Sequence, residues 1–361
     1  MILLVTKDCD RQDQRHVYKR MKCRPHIGKT CASVTDRAQE NERFAMSKNA
    51  ELLLGALVSD AACLGLHWIY NVDIIADIVA RQNGKCAFTP VDPKNFENVK
   101  TFAHKDRRNG MFTQLGEVLR LTIQSMNANG GEFDVPAYQS AFAAFFGAGG
   151  PYQGFMDRPT QGALANIAAD VNPSGIDDNQ TPALSRLPAI LVAYHGQDQL
   201  RDMIKTAMEV TNINAEAVAF SNVFADLATR VMNGEPLETA LQAAANAADD
   251  IAKADLLNAL NTTEDDSVVF AGLNGLMGRA CYLPAAGPVM FHILARSASY
   301  QDAIERNILA GGDSAGRSIM IGAIMAYIHG VATDTGVPLS WVLELEDGDN
   351  VWRDCELLGA K

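Results

Sequence analysis

An acid, a hydroxyl group and a cation stand close together at Asp313, Ser314 and Arg317, directly before the apolar run IMIGAIMAYI. Asp313 and Ser314 are both residue types that cap the start of a helix. In the first turn of that helix the dipole disfavours the charge of Arg317 by about 0.3–1 kcal/mol, so Asp313 or a bound anion should offset it. Two interpretations stay open: a buried helix with an internal ion pair, and a ligand site.

A carboxylate and an imidazole share one face of a predicted helix in the segment ELLLGALVSDAACLGLHWIY. Asp60 lies among apolar residues, and His67 follows seven residues later, close to two helical turns. A buried carboxylate without a partner is costly, so Asp60 should be protonated, hydrogen-bonded or metal-bound. Because Trp68 adds an aromatic ring at the same end, a site stays open beside the alternative of a capping acid and a core histidine.

Several polar side chains precede a predicted helix in the segment GIDDNQTPALSRLP. Thr181 followed by proline is typical of a helix start. Either Asp178, Asn179 and Gln180 form an exposed turn, or they face a pocket with Arg186 behind them. Carboxylates and carboxamides together suit a hydroxyl-rich ligand such as ribose. In the later segment TNINAEA, Asn212 stands just outside a helix that Asn214 can cap.

From residue 48 onward, alanine-rich apolar segments alternate with Gly, Pro, Asn and Asp, a pattern that predicts a series of helices. We expect these helices to position all of the side chains described above. Runs such as ALQAAANAADDIAKADLLNAL have strong helix propensity, and strand-like alternation is scarce. The pattern predicts an all-α fold, a compact multi-helix bundle. No repeat of fixed period or low-complexity linker divides residues 46–361, so we expect a single domain there.

The composition is that of a globular protein, with 48% hydrophobic and 20% charged residues in a chain of 361. The formal net charge of −12 argues against nucleic acid as the main partner, although a local site can still bind an anion. The seven cysteines form no CxxC pair and are odd in number, which favours reduced thiols and a cytoplasmic location. The longest apolar run, near 318–332, is shorter than the roughly 20 residues that cross a bilayer, so no membrane span is expected.

Residues 1–45 differ from the rest of the chain in charge, with ten Lys and Arg against six Asp and Glu. They show little apolar periodicity, and MILLV is too short for the apolar region of a signal peptide. The alternatives are a disordered leader, an organelle-targeting peptide, and sequence upstream of a true start at Met46. Because acidic residues weaken the targeting interpretation, we expect a disordered or non-native leader at 1–45.

Four segments, taken in order, resemble the ADP-ribosylglycohydrolase family, and its J1-crystallin and selenoprotein J branch in particular. These are LLLGALVSDAACLGLHWIY, DDNQTPALSRLPAI, TNINAEAVAF and ILAGGDSAGRSIMIGAIMAYIHG. The resemblance covers essentially residues 47–332. It implies an orthogonal all-α bundle with a central cleft. It also implies hydrolysis of the glycosidic bond between ADP-ribose and an acceptor, with a pair of Mg²⁺ ions held by an early TDDT-like and a late GDTDT-like motif.

The chain departs from the family pattern at the metal ligands. Where the early motif has a hydroxyl and two acids, this sequence has Gly110, Met111 and Phe112, and only Thr113 is retained. The late motif keeps Asp313, but its second acid is an alanine. Met and Phe cannot supply the hard oxygen ligands that Mg²⁺ requires. We therefore expect no Mg²⁺ pair, a single ion at Asp313 at most, and a degenerate site in which Arg317 replaces a cation.

Two functions stay open after this comparison. The first is a hydrolase of ribosyl or ADP-ribosyl bonds in which Asp178 or Asp313 is the general base and Arg317 the electrostatic support. The expected substrate-binding residues are Asp60, His67, Trp68, Thr113, Gln114, Asn179, Gln180, Arg186, Asn212 and Ser314. The second is a non-catalytic family member, either a crystallin-like structural protein or one that binds ADP-ribose or a nucleotide.

Overall fold

The computed structural model describes residues 46–361, and the leader expected at residues 1–45 lies outside the described residues. Lys48–Lys361 forms one compact unit. The described part of the chain contains helices and isolated bridges but no strand, which confirms the all-α prediction. No described helix combines the length and apolarity that would let it cross a membrane.

Sixteen α-helices and three short 3₁₀ helices make up the regular structure of the described residues. The 3₁₀ helices are Pro93–Phe96, Thr181–Leu184 and Gly275–Arg279. The α-helices are α1 Lys48–Cys63, α2 Val72–Arg81, α3 Gln114–Ala128, α4 Val135–Phe146, α5 Arg158–Ala168, α6 Leu187–Tyr194, α7 Leu200–Met208, α8 Ala215–Met232, α9 Leu237–Ala247, α10 Lys253–Asn261, α11 Ser267–Gly272, α12 Leu283–Arg296, α13 Tyr300–Leu309, α14 Ser314–His329, α15 Leu339–Leu343 and α16 Gly348–Gly359.

The centre of the fold is the packing of α1 against α14, the helix that contains most of the long apolar run noted in the sequence. A Cβ atom on Gly55 would overlap the side chain of Ala326, and one on Gly322 would overlap Ser59. Since neither clash exists with glycine, the two backbones approach closely, and the Ser59 hydroxyl donates a 2.9 Å hydrogen bond to the carbonyl of Ser318. These pairs show that the helices run antiparallel. The end of α1 therefore meets the start of α14. This arrangement brings together the two segments that contain the expected site residues Asp60 and Asp313.

Two backbone hydrogen bonds join the segment after α1 to the loop before α14. The Trp68 N–H donates to the Gly312 carbonyl, and the Gly312 N–H donates to the Ile69 carbonyl, each at 2.8 Å. Trp68 has φ +68°, and Gly312 has φ +65°. A side chain at 312 would also overlap the backbone of Arg279, so this position requires glycine on two grounds. The link holds the backbone of Trp68 against the loop that carries Asp313.

Two differences from the predicted helices have identifiable causes. The helix that the sequence predicts to begin at Thr181 is divided into the 3₁₀ helix Thr181–Leu184 and α6, because Pro188 lies in the first turn of α6 and has no N–H to continue an earlier helix. Helix α16 was not predicted, although its buried residues Val351, Cys355 and Leu358 have the spacing of one helical face.

Candidate functional site

The N-terminal ends of three helices meet around a narrow pocket, here called the inner pocket. Thr113, Asp157 and Asp313 are the N-cap residues of α3, α5 and α14, and all three line it. The full lining is His67, Trp68, His104, Thr113, Gln114, Leu115, Phe155, Asp157, Gln180, Thr181, Pro182, Cys281 and Asp313. Its volume of about 30 Å³ suits one or two water molecules and is far too small for a sugar.

A larger cavity of about 480 Å³, here called the outer cavity, adjoins the inner pocket and shares Trp68, Gln180 and Cys281 with it. This volume lies within the range of small-molecule binding sites. Aromatic and carboxamide side chains line the outer cavity together with Lys100, and its described lining contains no acid. The outer cavity is therefore large enough for a small-molecule ligand, and the adjoining inner pocket is large enough for one or two water molecules.

Asp313 is the buried carboxylate of the inner pocket. The His67 ring donates from Nε2 to Oδ1 at 2.8 Å, and the Thr181 hydroxyl donates to Oδ2 at 2.6 Å. A Cβ atom on Gly316 would overlap both Oδ2 and the Thr181 hydroxyl, so glycine leaves room for this bond. Burial opposes ionisation of Asp313, but the hydrogen bonds and charge of His67 together with the Thr181 bond outweigh it, and the pKa lies below the usual aspartate value. Asp313 is therefore ionised at neutral pH.

A second imidazole continues this chain of hydrogen bonds. His67 Nδ1 and His104 Nε2 are 2.7 Å apart, and the two rings stack with their centroids 4.9 Å apart. Only 3% of His104 is exposed. Burial, followed by the neighbouring His67 and Arg107, lowers the pKa of His104 well below the ordinary histidine value. His104 is thus neutral, and its Nδ1 atom has no hydrogen-bond partner among the described residues.

The start of α3 is held by Asp60, which lies behind Thr113 rather than in the inner pocket. Thr113 donates its N–H to Oδ2 at 2.7 Å and its hydroxyl to Oδ1 at 2.6 Å. Burial raises the pKa of Asp60 to about 7, although both bonds from Thr113 oppose the rise. A Cβ atom on Gly116 would overlap the Asp60 carboxyl group. Asp60 therefore positions Thr113, the residue retained from the early motif, at the start of α3.

Asp157 is a second acid in the inner pocket, and it caps α5. Its Oδ1 accepts from the Thr160 N–H at 2.8 Å, and its own N–H donates to Gln114 Oε1 at 2.7 Å. Burial raises the pKa of Asp157 above the usual aspartate value. The inner pocket thus contains two carboxyl groups, on Asp157 and Asp313, whose pKa values are displaced in opposite directions.

Asp178 holds the loop that carries Gln180 into both cavities. Its Oδ2 accepts from Arg158 Nε at 3.0 Å, its Oδ1 accepts from the Gln180 N–H at 3.0 Å, and Asn212 donates to its carbonyl at 3.0 Å. The carboxyl group of Asp178 is therefore occupied and lies outside the inner pocket. At the junction of the two cavities, the Cys281 thiol donates to Gln180 Oε1 at 2.9 Å.

Arg317 is fully buried behind Asp313 and lines neither cavity. It donates from Nε to Asn307 Oδ1 at 2.8 Å and from Nη2 to the Gly311 carbonyl at 2.7 Å. Its charge lowers the pKa of Asp313, though less than burial, His67 and Thr181 affect it. Arg317 therefore fixes the loop before α14 and acts on Asp313 through space.

Six of the thirteen predicted site residues line the inner pocket: His67, Trp68, Thr113, Gln114, Gln180 and Asp313. The other seven, Asp60, Asp178, Asn179, Arg186, Asn212, Ser314 and Arg317, line neither cavity. Arg186, for example, donates to Tyr138 and Thr211, each at 3.0 Å. Sequence reasoning missed His104, which belongs to no motif, and Asp157, which stands two residues before Pro159 in a pattern that helix capping explains.

The described residues do not fit a pair of Mg²⁺ ions. Both oxygens of Asp313 already accept hydrogen bonds, Phe112 is buried, and Ala315 stands where a second late acid would be. No group of three or more His, Cys, Asp or Glu side chains within residues 46–361 could hold a metal ion. Because Mg²⁺ prefers several hard oxygen ligands, the donor set disagrees with a two-ion centre.

Comparison with known proteins agrees with the resemblance seen in the sequence. A family model described as ADP-ribosylglycohydrolase matches residues 40–361. Crystallin J1A of Tripedalia cystophora is 24% identical over 341 residues, covering 90% of this chain and 98% of that protein. Crystallin J1B of the same organism is 23% identical over 303 residues, covering 80% of this chain and 89% of that protein. A solved structure titled ADP-ribosylglycohydrolase-related protein complex superposes with a TM-score of 0.65 at 15% identity, covering 87% of this chain and 97% of that one, which shows a shared fold.

Proposed function

Because the chain belongs to the ADP-ribosylglycohydrolase family, we propose that it hydrolyses a glycosidic bond between the ribose of an ADP-ribosyl group and an acceptor. One observation carries the proposal. Asp157 and Asp313 line the same buried pocket with pKa values displaced in opposite directions. Glycoside hydrolysis commonly uses a protonated acid and an ionised carboxylate on either side of the bond that breaks.

The two acids have different roles in this proposal. The raised pKa of Asp157 favours the protonated form, which donates its proton to the oxygen or nitrogen of the departing acceptor. The ionised Asp313 stabilises the positive charge that develops on the ribose ring in an oxocarbenium-like transition state. Water enters the reaction from the inner pocket, whose size suits one or two molecules.

The substrate is expected in the outer cavity. Trp68 and Tyr70 offer aromatic faces for a base or ribose, and Lys100 supplies a positive charge for a diphosphate. The absence of an acid from the described lining of this cavity suits an anionic ligand, in contrast to the net charge of −12 for the whole chain. We place the anomeric carbon at the junction formed by Trp68, Gln180 and Cys281.

The reaction is proposed to proceed without a Mg²⁺ pair, since the donor set does not fit one. Arg317 supports Asp313 electrostatically from behind in place of a cation. A cytoplasmic location belongs to the same proposal, because Cys63, Cys86, Cys281 and Cys355 are all free thiols. The acceptor in this proposal is a protein side chain or a small molecule.

A second candidate is a family member that binds ADP-ribose without hydrolysing it. The missing metal ligands favour this candidate, as do the two matched relatives, which are both named crystallins. In that case Asp313 and its hydrogen-bond partners would stabilise the fold or orient a bound ribose. Binding without turnover would distinguish this candidate from the hydrolase.

The test is an assay of ADP-ribose release from peptides ADP-ribosylated on arginine or serine, in buffer containing EDTA. We expect release by the wild-type protein and loss of at least about 100-fold in kcat for Asp313→Asn. Asp334→Asn is the matched control, because Asp334 is exposed and lines neither cavity. A thermal shift with ADP-ribose but no release from either peptide would favour the binding protein instead.

A further inference from the structure

His104 carries an atom that the roles above leave unused. The ring lines the inner pocket, and its Nε2 atom is bonded to His67. Its Nδ1 atom is buried and lacks a hydrogen-bond partner in the described part of the chain. An unpaired polar atom in a buried site is costly, and such an atom commonly marks the place of a bound water or ligand.

The carboxylate of Asp313 fixes one hydrogen of His67, and the hydrogen of His104 follows from it when His67 is neutral. Asp313 is ionised and can only accept, so His67 carries a hydrogen on Nε2. When His67 is neutral, its Nδ1 is an acceptor, and the 2.7 Å contact requires a hydrogen on Nε2 of His104. The neutral ring of His104 then has a free lone pair on Nδ1, which is the atom without a partner.

We propose that His104 Nδ1 is the general base that removes a proton from the hydrolytic water in the inner pocket, with His67 and Asp313 receiving the resulting charge. This inference rests on the proposed function. The water proton passes to His104 Nδ1, and the hydrogen on His104 Nε2 passes to His67 Nδ1. His67 is then an imidazolium beside the Asp313 carboxylate. The water oxygen bonds to the anomeric carbon, and the acceptor leaves with the proton of Asp157. The transfers then reverse: His67 Nδ1 returns its proton to His104 Nε2, His104 Nδ1 releases one proton to solvent, and solvent reprotonates Asp157.

The other acids and imidazoles near the site are less suited to this role. Both oxygens of Asp313 accept hydrogen bonds, and both ring nitrogens of His67 are engaged. The carboxyl group of Asp178 lies outside the inner pocket. Among the imidazoles of the inner pocket, His104 is the one with a ring nitrogen that lacks a partner in the described residues, and Asp157 is protonated in its proposed role as the acid.

A second unpaired atom belongs to Trp68, which lines the same pocket. Trp68 Nε1 is buried and has no hydrogen-bond partner among residues 46–361. It can only donate, whereas His104 Nδ1 in its neutral form can only accept. A water molecule does both, so one or two waters in a space of about 30 Å³ satisfy the two orphaned atoms.

Burial disfavours the charged form of a histidine, which is the main objection to a buried histidine as a base. The transfer of a proton from His104 to His67 removes this objection. The groups that act on His104 are His67, Arg107 and Asp313, and Asp157 lines the same pocket. Burial and the charge of Arg107 lower the pKa of His104, which keeps its ring neutral before the reaction. After proton transfer the charge rests on His67, which is 2.8 Å from the Asp313 carboxylate.

The experiment compares His104→Gln with the wild type on a 4-nitrophenyl glycoside of ADP-ribose, in which nitrophenol is linked at the anomeric carbon. Nitrophenolate leaves without a proton, so the role of Asp157 does not limit the rate and only activation of water is tested. We expect kcat to fall at least about 100-fold with little change in KM, and the acidic limb of the pH profile to disappear. His195→Gln is the control, because His195 lines neither cavity and bonds to Asn233.

Addition of azide distinguishes the loss of a general base from general damage to the site. Azide is small enough for a water-sized pocket and attacks carbon without losing a proton, so it should restore turnover by His104→Gln and yield the ribosyl azide. If the wild type turns over the substrate and the kcat of His104→Gln is within threefold of the wild-type value, this inference is overturned while the proposed function stands. A failure of azide to restore turnover in a folded His104→Gln protein would also overturn it. No turnover by the wild type would overturn the proposed function as well.

Nitrogen NMR of the wild-type imidazoles provides a test that does not depend on activity or on the folding of a variant. We expect His104 at pH 7.5 to be neutral with its hydrogen on Nε2. A hydrogen on Nδ1, or a doubly protonated ring at that pH, would overturn the proposal.

Discussion

Thr113 donates both its backbone N–H and its hydroxyl group to Asp60, a fully buried carboxyl group whose pKa is raised by burial to about 7. The pair joins the end of α1 to the start of α3 across 53 residues of sequence. One side of the inner pocket therefore depends on an acid that titrates close to neutral pH.

Asp60 should make the stability of the protein depend on pH. Its folded-state pKa lies above the unfolded value near 3.8, so the folded state binds the proton more tightly. The stabilisation is present at low pH, declines as pH rises from about 4 to 7, and is lost above that range. Its upper limit is roughly 4 kcal/mol, at about 1.4 kcal/mol for each pH unit between the two pKa values.

Asp60→Asn removes this titration and loses one acceptor for Thr113. We expect it to be less stable than the wild type at pH 4 and the difference in free energy of unfolding to narrow towards pH 7. Urea denaturation at several pH values measures the difference. Asp334→Asn should show no such trend. A difference for Asp60→Asn that is constant from pH 4 to 7 would contradict the assignment.

Gly316→Ala tests the room that glycine leaves for the Thr181–Asp313 hydrogen bond. The added Cβ atom would overlap Asp313 Oδ2 and the Thr181 hydroxyl, so one of them must move. We expect a loss of about 1–3 kcal/mol in the free energy of unfolding and a loss of turnover. Gly348→Ala is the comparison, because its new Cβ would make a tight contact of 3.0 Å with the Val342 carbonyl oxygen but no overlap as severe as that at Gly316. Equal effects of the two substitutions would show that the clash does not matter.

The helices were the part of the structure that the sequence predicted well. The apolar run after Ser314 predicted a buried helix, and α14 begins at Ser314 and is buried over most of its length. Asn214 was predicted as an N-cap, and its side chain accepts from the Glu216 N–H at 2.8 Å. Such features depend on neighbours in sequence, where capping and propensity act directly.

The selection of side chains that reach the inner pocket depended on packing between distant segments. Asp178 and Gln180 stand two residues apart, yet only Gln180 lines the pocket, because Asp178 is held by Arg158 and Asn212. His104 comes from a segment without regular helix or strand, so no periodicity marked it. Thr181 was expected to cap a helix, whereas its hydroxyl donates to Asp313.

Arg317→Met tests whether the guanidinium is exchangeable with a metal ion. Its donors are directed at Asn307 and the Gly311 carbonyl, so removal leaves buried acceptors unpaired behind Asp313. We expect a loss of about 3–5 kcal/mol in the free energy of unfolding and a lower Tm. Arg201→Met, at an exposed position, is the control. Because the inner pocket lacks a second hard ligand set, added Mg²⁺ should not restore stability or turnover, and restoration of turnover by Mg²⁺ would show that a metal ion can take over the position of the guanidinium.

Asp157→Asn tests the acid in the proposed hydrolysis by changing the group that leaves. An asparagine side chain cannot donate the proton that a serine or arginine acceptor needs, so kcat on such peptides should fall by about 100-fold or more. The nitrophenyl substrate needs no proton, and its turnover by Asp157→Asn should stay within a few-fold of the wild type. Measuring both substrates with one variant separates loss of the acid from loss of the fold, because an unfolded protein would fail on both. Equal losses on the two substrates, in a variant with an unchanged Tm, would remove Asp157 from the role of acid, and Asp313 would then be the only carboxyl group of the inner pocket left to explain catalysis.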